Sequence, residues 1–196
     1  MSSKIKIING KFSYGKNIIF NNLNIEFFTD RLNLLKGFSG SGKTTLLKII
    51  AGKLKLTSGI LQSEVKNFSF AYQDIRLLPY LSARENICLV MPKNISKNEQ
   101  IKKADYLLEV LALSSYKNFL PAELSGGMQR RVGLARALAF DAKMYLLDEV
   151  FESLDEETIK IVTTVLLETL KKEGRGAICV THKVPADLEN CYEVVL

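Results

Sequence analysis

The sequence predicts an α/β fold built on a parallel sheet, with a helical segment inserted between its strands. Three observations carry this. An apolar run (Leu32, Leu34, Leu35) enters a glycine loop and leaves it into a second apolar run (Leu46, Leu47, Ile49, Ile50, Ala51), the order strand, loop, helix. Met144-Tyr-Leu-Leu-Asp148 and Ala177-Ile-Cys-Val-Thr181 are short apolar runs of the kind buried in parallel sheets. Residues 73–120 turn rich in Leu, Lys, Asn and Ser, with Ile101, Ala104, Leu107, Leu108 and Leu111 recurring at helical spacing.

Taken in order, residues 4–8 alternate and predict a strand, with Phe12 and Tyr14 just beyond it before the Gly15-Lys16-Asn17 turn. Further strands are expected near 17–20, 23–28 and 31–36. The first helix runs from about Lys43 to Ala51, and Gly52 stops it. After the Thr57-Ser58-Gly59 turn, strands are expected at about 60–62 and 67–72. Pro79, Pro92 and Pro121 punctuate the helical insertion. Residues 126–140 predict a helix whose apolar face holds Met128, Val132, Ala135 and Ala139, with Arg130 and Arg131 off it. Asp155 caps another helix, to about Lys172. Glu156 and Glu157 sit in its first turn, Lys171 and Lys172 in its last, and Gly174 follows. Glu193-Val-Val-Leu196 closes the chain.

The length of 196 residues implies one domain. A formal charge of +6 and a pI near 9.1 suit nucleic acid, an anionic membrane or nucleotide phosphates without choosing among them. Cys88, Cys179 and Cys191 stand far apart without metal-ligand spacing, so a reducing compartment is the simpler expectation. The N-terminal stretch lacks the pattern of a signal peptide. No apolar run approaches the roughly 20 residues needed to cross a bilayer, so membrane work would need another chain to span it. The end at Leu196 predicts no regulatory extension.

Gly37-Phe38-Ser39-Gly40-Ser41-Gly42-Lys43-Thr44 reads G-x-x-x-x-G-K-T. The glycines let backbone N–H groups turn toward a polyphosphate, and the helix that follows points its positive end at the same anion. Lys43 is expected on the β and γ phosphates and Thr44 on Mg²⁺. Ser39, Ser41 and Thr45 belong to the same cradle. Asp148 and Glu149 follow an apolar strand, where parallel sheets place their ligands. Asp148 is expected to orient Mg²⁺ through its water shell, and Glu149 to act on the attacking water, as base or by polarising it. Leu124-Ser125-Gly126-Gly127-Met128-Gln129 ends a loop and opens a helix. Alone it also reads as an ordinary Ser-capped helix. Because one nucleotide already has its cradle at 37–44, this second phosphate-seeking helix end would serve a nucleotide held by another copy.

Here the sequence resembles the ABC-type ATPases, over essentially its whole length. Leu124 to Gln129 is similar to their signature motif, about 20 residues before Asp148. The resemblance implies a P-loop NTPase (RecA-like) core, an N-terminal antiparallel β subdomain, and an α-helical subdomain at about 74–140 within a single domain of residues 1–196. It implies that Tyr14 stacks on adenine and that Gln73 senses Mg²⁺ and the membrane partner. It implies that Ser153-Leu154-Asp155 crosses a dimer interface, that Gln129 belongs to the nucleotide site, and that His182 contacts the γ-phosphate. The implied mechanism is a head-to-tail dimer, homomeric or formed with a related ATPase. It would close on two ATP molecules and reopen after hydrolysis, coupled to membrane permease subunits and in some systems a substrate-binding protein. The implied location is the cytoplasmic face of the membrane, without nucleic acid.

The run Tyr72 to Asn86 is similar to nitrate, sulfonate and taurine importer ATPases, which implies import of a small solute. Export, cell division and non-transport roles are the alternatives. A non-transport ATPase of this family usually carries coiled-coil insertions or two cassettes, and this chain has one P-loop and no heptad run. A P-loop kinase or GTPase is disfavoured by residues 124–129. Departures from the importer pattern are Phe38 and Val150 where proline is usual, Glu152 where a small residue is usual, and Lys183 and Pro185 after His182. None removes a phosphate or magnesium ligand.

Overall fold

A computed structural model describes residues 3–72, 77–152, 154–181 and 191–196. Two long strands, β1 (Lys4–Tyr14) and β2 (Asn17–Phe28), form an antiparallel hairpin. Next come β3 (Leu32–Lys36), α1 (Lys43–Ile50), β4 (Ser58–Gln62) and β5 (Phe68–Ala71). A helical layer of α2 (Ala83–Cys88), α3 (Lys97–Val110) and α4 (Gly126–Ala139) separates β5 from β6 (Met144–Asp148). The chain closes with α5 (Glu156–Glu173), β7 (Gly176–Val180) and β8 (Tyr192–Val195).

These strands make two sheets. The first is antiparallel, in the order β2-β1-β4; the second is parallel, in the order β5-β6-β7-β3-β8. Alternation along the parallel strands divides the core. Leu34, Leu147, Ala177 and Cys179 face the cluster shared with α2 to α5. Leu35, Leu146, Ile178 and Val180 face the cluster shared with α1 and the antiparallel sheet. Both faces are therefore covered, which is why these strands read as continuous apolar runs.

Buried Asn33 ties the two strand ends together. Its side-chain oxygen accepts from Phe28 N–H at 2.8 Å, and its amide donates to the carbonyls of Phe28, Arg31 and Ala177 at 2.8, 3.1 and 2.9 Å. Its amide group and its oxygen are both engaged, as burial of an amide requires.

The structure corrects two boundary expectations. The strand expected at 4–8 runs on to Tyr14, and those expected at 17–20 and 23–28 are one strand. Register shifts beside Gly10 keep the ladder going. Asn9 and Asn22 absorb them with φ of 51° and 63°, and Asn9 N–H is held by the Asn24 side chain at 3.0 Å. Asn tolerates this left-handed backbone better than most residues, so residues that look like strand ends act as bulges. Two helix starts also lay in the sequence unread. Ser82-x-x-Glu85 and Ser96-x-x-Glu99 are reciprocal capping boxes opening α2 and α3.

Candidate functional site

The loop between β3 and α1 is shaped by glycine. Gly40 and Gly42 have φ of 83° and 96°, a region that strains any side chain. At Gly42 a Cβ would also come within 2.7 Å of Ile19 and 2.8 Å of the Phe20 ring. Gly42 is the N-cap of α1, with no side-chain cap and no acid in the first turn. The first N–H groups of α1 are thus left for an external acceptor. Lys43 is 6% exposed, and its ammonium donates to the carbonyls of Gly37 and Phe38 at 3.0 and 2.9 Å. The Ser41 hydroxyl is buried without a hydrogen-bond partner among the described residues. A buried polar atom without a partner costs stability unless something binds it. Thr44 and Thr45 follow in the first turn. Ser39 is exposed at the loop tip, beside a Phe38 ring that is 74% exposed.

This cradle makes a direct prediction. Gly42→Ala should lower unfolding free energy by about 1–3 kcal/mol, from overpacking against Phe20 together with the strained φ. A urea-unfolding midpoint equal to the wild type's would contradict the geometry.

Asp148 ends β6, two strands away from β3, with β7 between them. It is 1% exposed, and neither carboxylate oxygen accepts a well-formed hydrogen bond among the described residues. Burial pushes its pKa up. The Thr44 hydroxyl works against that shift, Glu149 reinforces it, and Lys48 and Lys43 oppose it. A buried carboxylate with open lone pairs beside a threonine hydroxyl is a hard-oxygen donor set that fits Mg²⁺. Three-residue His, Cys, Asp or Glu metal clusters are absent among the described residues, so no closed protein cage competes with that fit.

Glu149 sits in the left-handed region at φ 54°, and its N–H donates to the Val180 carbonyl at 2.9 Å. Such backbone costs about 1–3 kcal/mol and collects at functional sites. It turns the chain sharply at the carboxyl end of the sheet. A small cavity of about 50 Å³ there is lined by Tyr72, Arg130, Asp148, Glu149 and Glu152, among others. Arg130 was legible in the sequence only as lying off the apolar face of α4. Its arrival beside the two acids needs the packing of α4.

Ser125 caps α4, its hydroxyl accepting from Met128 N–H at 3.3 Å. Gly126 and Gly127 differ from Gly42: a Cβ at either would meet nothing within 4 Å. The fold of this chain does not require glycine there. Gln129 turns its amide onto the carbonyls of Pro121 and Leu124 at 2.9 and 3.1 Å, bracing the loop before α4. Asp155 accepts from Thr158 N–H and from its hydroxyl, both at 2.9 Å, which caps α5 and holds its carboxyl below the ordinary range. Tyr14 is half exposed and stands edge-on to Phe12 at 4.9 Å. Phe12 pairs in register with Phe20, the ring that closes on Gly42. That series of contacts links Tyr14, through Phe12 and Phe20, to the packing against Gly42.

A family model described as ABC transporter matches residues 20–152, a span that holds the glycine cradle, the acids ending β6 and the Ser125 helix. The chain belongs to the ABC transporter family. An uncharacterised ABC transporter ATP-binding protein of Methanocaldococcus jannaschii is 34% identical, covering 94% of this chain and 73% of that protein. The taurine import ATP-binding protein of Sinorhizobium fredii is also 34% identical, covering 91% and 70%. An ATP-binding cassette solved as a dimer in a post-hydrolysis state with ADP and phosphate superposes with a TM-score of 0.76. It is 28% identical, over 91% of this chain and 88% of that one. The chain spans between 52% and 73% of the length of such curated relatives.

The P-loop NTPase architecture expected from the ABC resemblance is therefore present, with its antiparallel sheet and its inserted helices. As an ABC ATP-binding chain, the protein is an ATPase. The structure brings Lys43, Thr44, Asp148 and Glu149 to one end of one sheet. Gln73, Ser153 and His182 lie outside the described residues. Among the described residues no helix is long and apolar enough to cross a membrane.

Proposed function

We propose that this ABC ATPase is the energy-supplying subunit of a membrane importer for a small solute, working on the cytoplasmic face of the membrane. Residues 1–196 would act as a single ABC ATPase domain, with a helical subdomain at about 74–140. The observation that carries the reading is the pairing of a complete P-loop with a second glycine-bearing helix start whose glycines the chain itself does not need. Room without an internal occupant at Gly126 and Gly127 suits a phosphate held by a second copy. The dimeric cassette to which this chain is similar fits the same arrangement.

In this reading the P-loop amides and Lys43 bind the ATP phosphates, with Gly37, Ser39, Gly40, Ser41, Gly42 and Thr45 shaping the cradle and Tyr14 offering its ring to the base. Thr44 and Asp148 would hold Mg²⁺, with Gln73 as a further ligand, and when bound the ion would supply neutralisation of phosphate charge. Glu149 accepts the proton of the attacking water, and His182 supports the γ-phosphate. Ser125, Gly126 and Gly127 of the opposing copy close the site, with Gln129 bracing that loop and Asp155 near the interface. Closure excludes water and strengthens these charge interactions. Loss of the γ-phosphate reopens the dimer, and permease subunits convert the movement into transport.

Gly127→Asp tests the two-copy site. A carboxylate there would repel the partner's γ-phosphate, so ATPase activity should fall by at least about tenfold while ATP binding to the monomer persists. Wild-type turnover in this variant would exclude the shared site. The transport assignment is tested by purification from detergent-solubilised membranes. Co-purification of a polytopic permease supports it, and recovery on ribosomes or DNA refutes it.

A further inference from the structure

The ring of Phe38 serves neither the core nor the phosphate cradle. The residue's carbonyl accepts from the Lys43 ammonium at 2.9 Å and from Ser41 N–H at 3.2 Å. Before it, Gly37 is wedged in place: a Cβ there would come within 2.8 Å of the Ser41 hydroxyl and 2.9 Å of the Leu196 carbonyl. The backbone that carries the ring is therefore fixed from both sides. The ring itself is 74% exposed, belongs to neither core cluster and pairs with no other ring among the described residues.

A single apolar side chain on an ordinary surface needs no explanation. This one stands on a rigid loop at the mouth of a site for charged phosphates, next to exposed Ser39. Phosphate oxygens gain nothing from an apolar ring. The proposed contact of the base, Tyr14, lies on the antiparallel sheet. Left in water, the ring forgoes the gain of burial. An opposing copy of the chain has a suitable surface to offer. Gly126 and Gly127 carry no side chain, and a Cβ at either would meet nothing within 4 Å. Bare glycine backbone lets a flat ring approach closely.

We propose that Phe38 is an apolar anchor of the ATP-closed dimer, its ring packing on the opposing copy beside that copy's Ser125 helix start. This rests on the two-copy reading of the site and adds to it a residue that binds the partner rather than the nucleotide. A head-to-tail dimer holds one such ring in each of its two sites, so one substitution is felt twice. A ring on a fixed loop loses little freedom on making the contact.

The test uses the full chain carrying Glu149→Gln, so that hydrolysis does not reopen the dimer, and reads the dimer dissociation constant by sedimentation in saturating Mg-ATP. Adding Phe38→Ala should raise that constant by at least about 100-fold, about tenfold for each buried ring. Adding Phe38→Leu keeps much of the apolar area and should raise it by less than about tenfold. Both variants change an exposed side chain, so their urea-unfolding midpoints should match the parent's. If Glu149→Gln itself stays monomeric with ATP, the two-copy reading falls and the anchor with it. If it dimerises and neither Phe38 variant weakens the dimer, only the anchor falls. Unchanged dimerisation with loss of a co-purifying permease would give the ring to the permease instead. A matching loss of ATP affinity in the monomer would place the ring on its own copy's nucleotide, and a matching fall in the unfolding midpoint would make its role structural; either result would overturn the proposal.

Discussion

Glu149→Gln is expected to lower ATP turnover by about 10²- to 10⁴-fold, the usual contribution of a general base, while ATP affinity stays within a few-fold of wild type. The backbone at this position is set by a left-handed φ of 54° and by the N–H bond to Val180 at 2.9 Å. Neither depends on the side-chain charge, and glutamine has the same shape as glutamate. The substitution therefore removes the proton acceptor and leaves the turn in place. It also removes a negative charge from beside Asp148, whose own pKa is raised in part by Glu149. Phosphate release and equilibrium nucleotide binding measure the two effects separately. If hydrolysis reopens the dimer, the variant should accumulate as an ATP-bound dimer in gel filtration. Turnover within tenfold of wild type would remove Glu149 from the role of base. A variant that stays monomeric with ATP would count against the closed two-copy intermediate.

Lys43→Ala should weaken Mg-ATP binding by about 10- to 100-fold. That range follows from about 1.5–3 kcal/mol for a hydrogen bond to a charged group, at tenfold per 1.4 kcal/mol. Lys43 is buried in the loop and bonded to the carbonyls of Gly37 and Phe38. It holds the loop together as well as offering charge, so the loss has two sources. Lys43→Arg separates them in part. It restores charge, but its planar, larger head does not match the two carbonyls that a compact ammonium spans. We expect intermediate affinity for that variant. Titration with a fluorescent ATP analogue gives the order wild type, Arg, Ala, and equal affinity for all three would exclude a direct phosphate contact.

Much of the site was legible because its chemistry is local. The glycine loop, Lys43 and Thr44 are contiguous, and the backbone conformations that Gly40 and Gly42 adopt are ones only glycine reaches cheaply. The Ser125 and Asp155 caps need only the three residues that follow them. The strand ending in Asp148 declared itself by four apolar residues and two acids. Less legible were the long hairpin strands, where Gly10, Asn9 and Asn22 look like terminators. Whether such residues end a strand or form a bulge depends on the partner strand continuing past them.

What the sequence determined by itself was thus the set of chemical groups: a glycine loop of the phosphate-binding type, an acid at a strand end with a second acid beside it, and a second helix start with glycines. Local backbone geometry and residue type suffice for those. Tertiary structure decided their company. The strand order β5-β6-β7-β3-β8 sets Asp148 across β7 from the P-loop. Ile19 and Phe20 of the antiparallel sheet are what crowd a Cβ at Gly42, while a Cβ at Gly126 or Gly127 would meet nothing within 4 Å. A cleft lined by Lys103, Asp141, Glu168 and Arg175 draws on residues up to 83 positions apart, from Pro92 to Arg175. Sheet order and packing are long-range contacts, selected by burial on both faces of one sheet, and no local pattern encodes them.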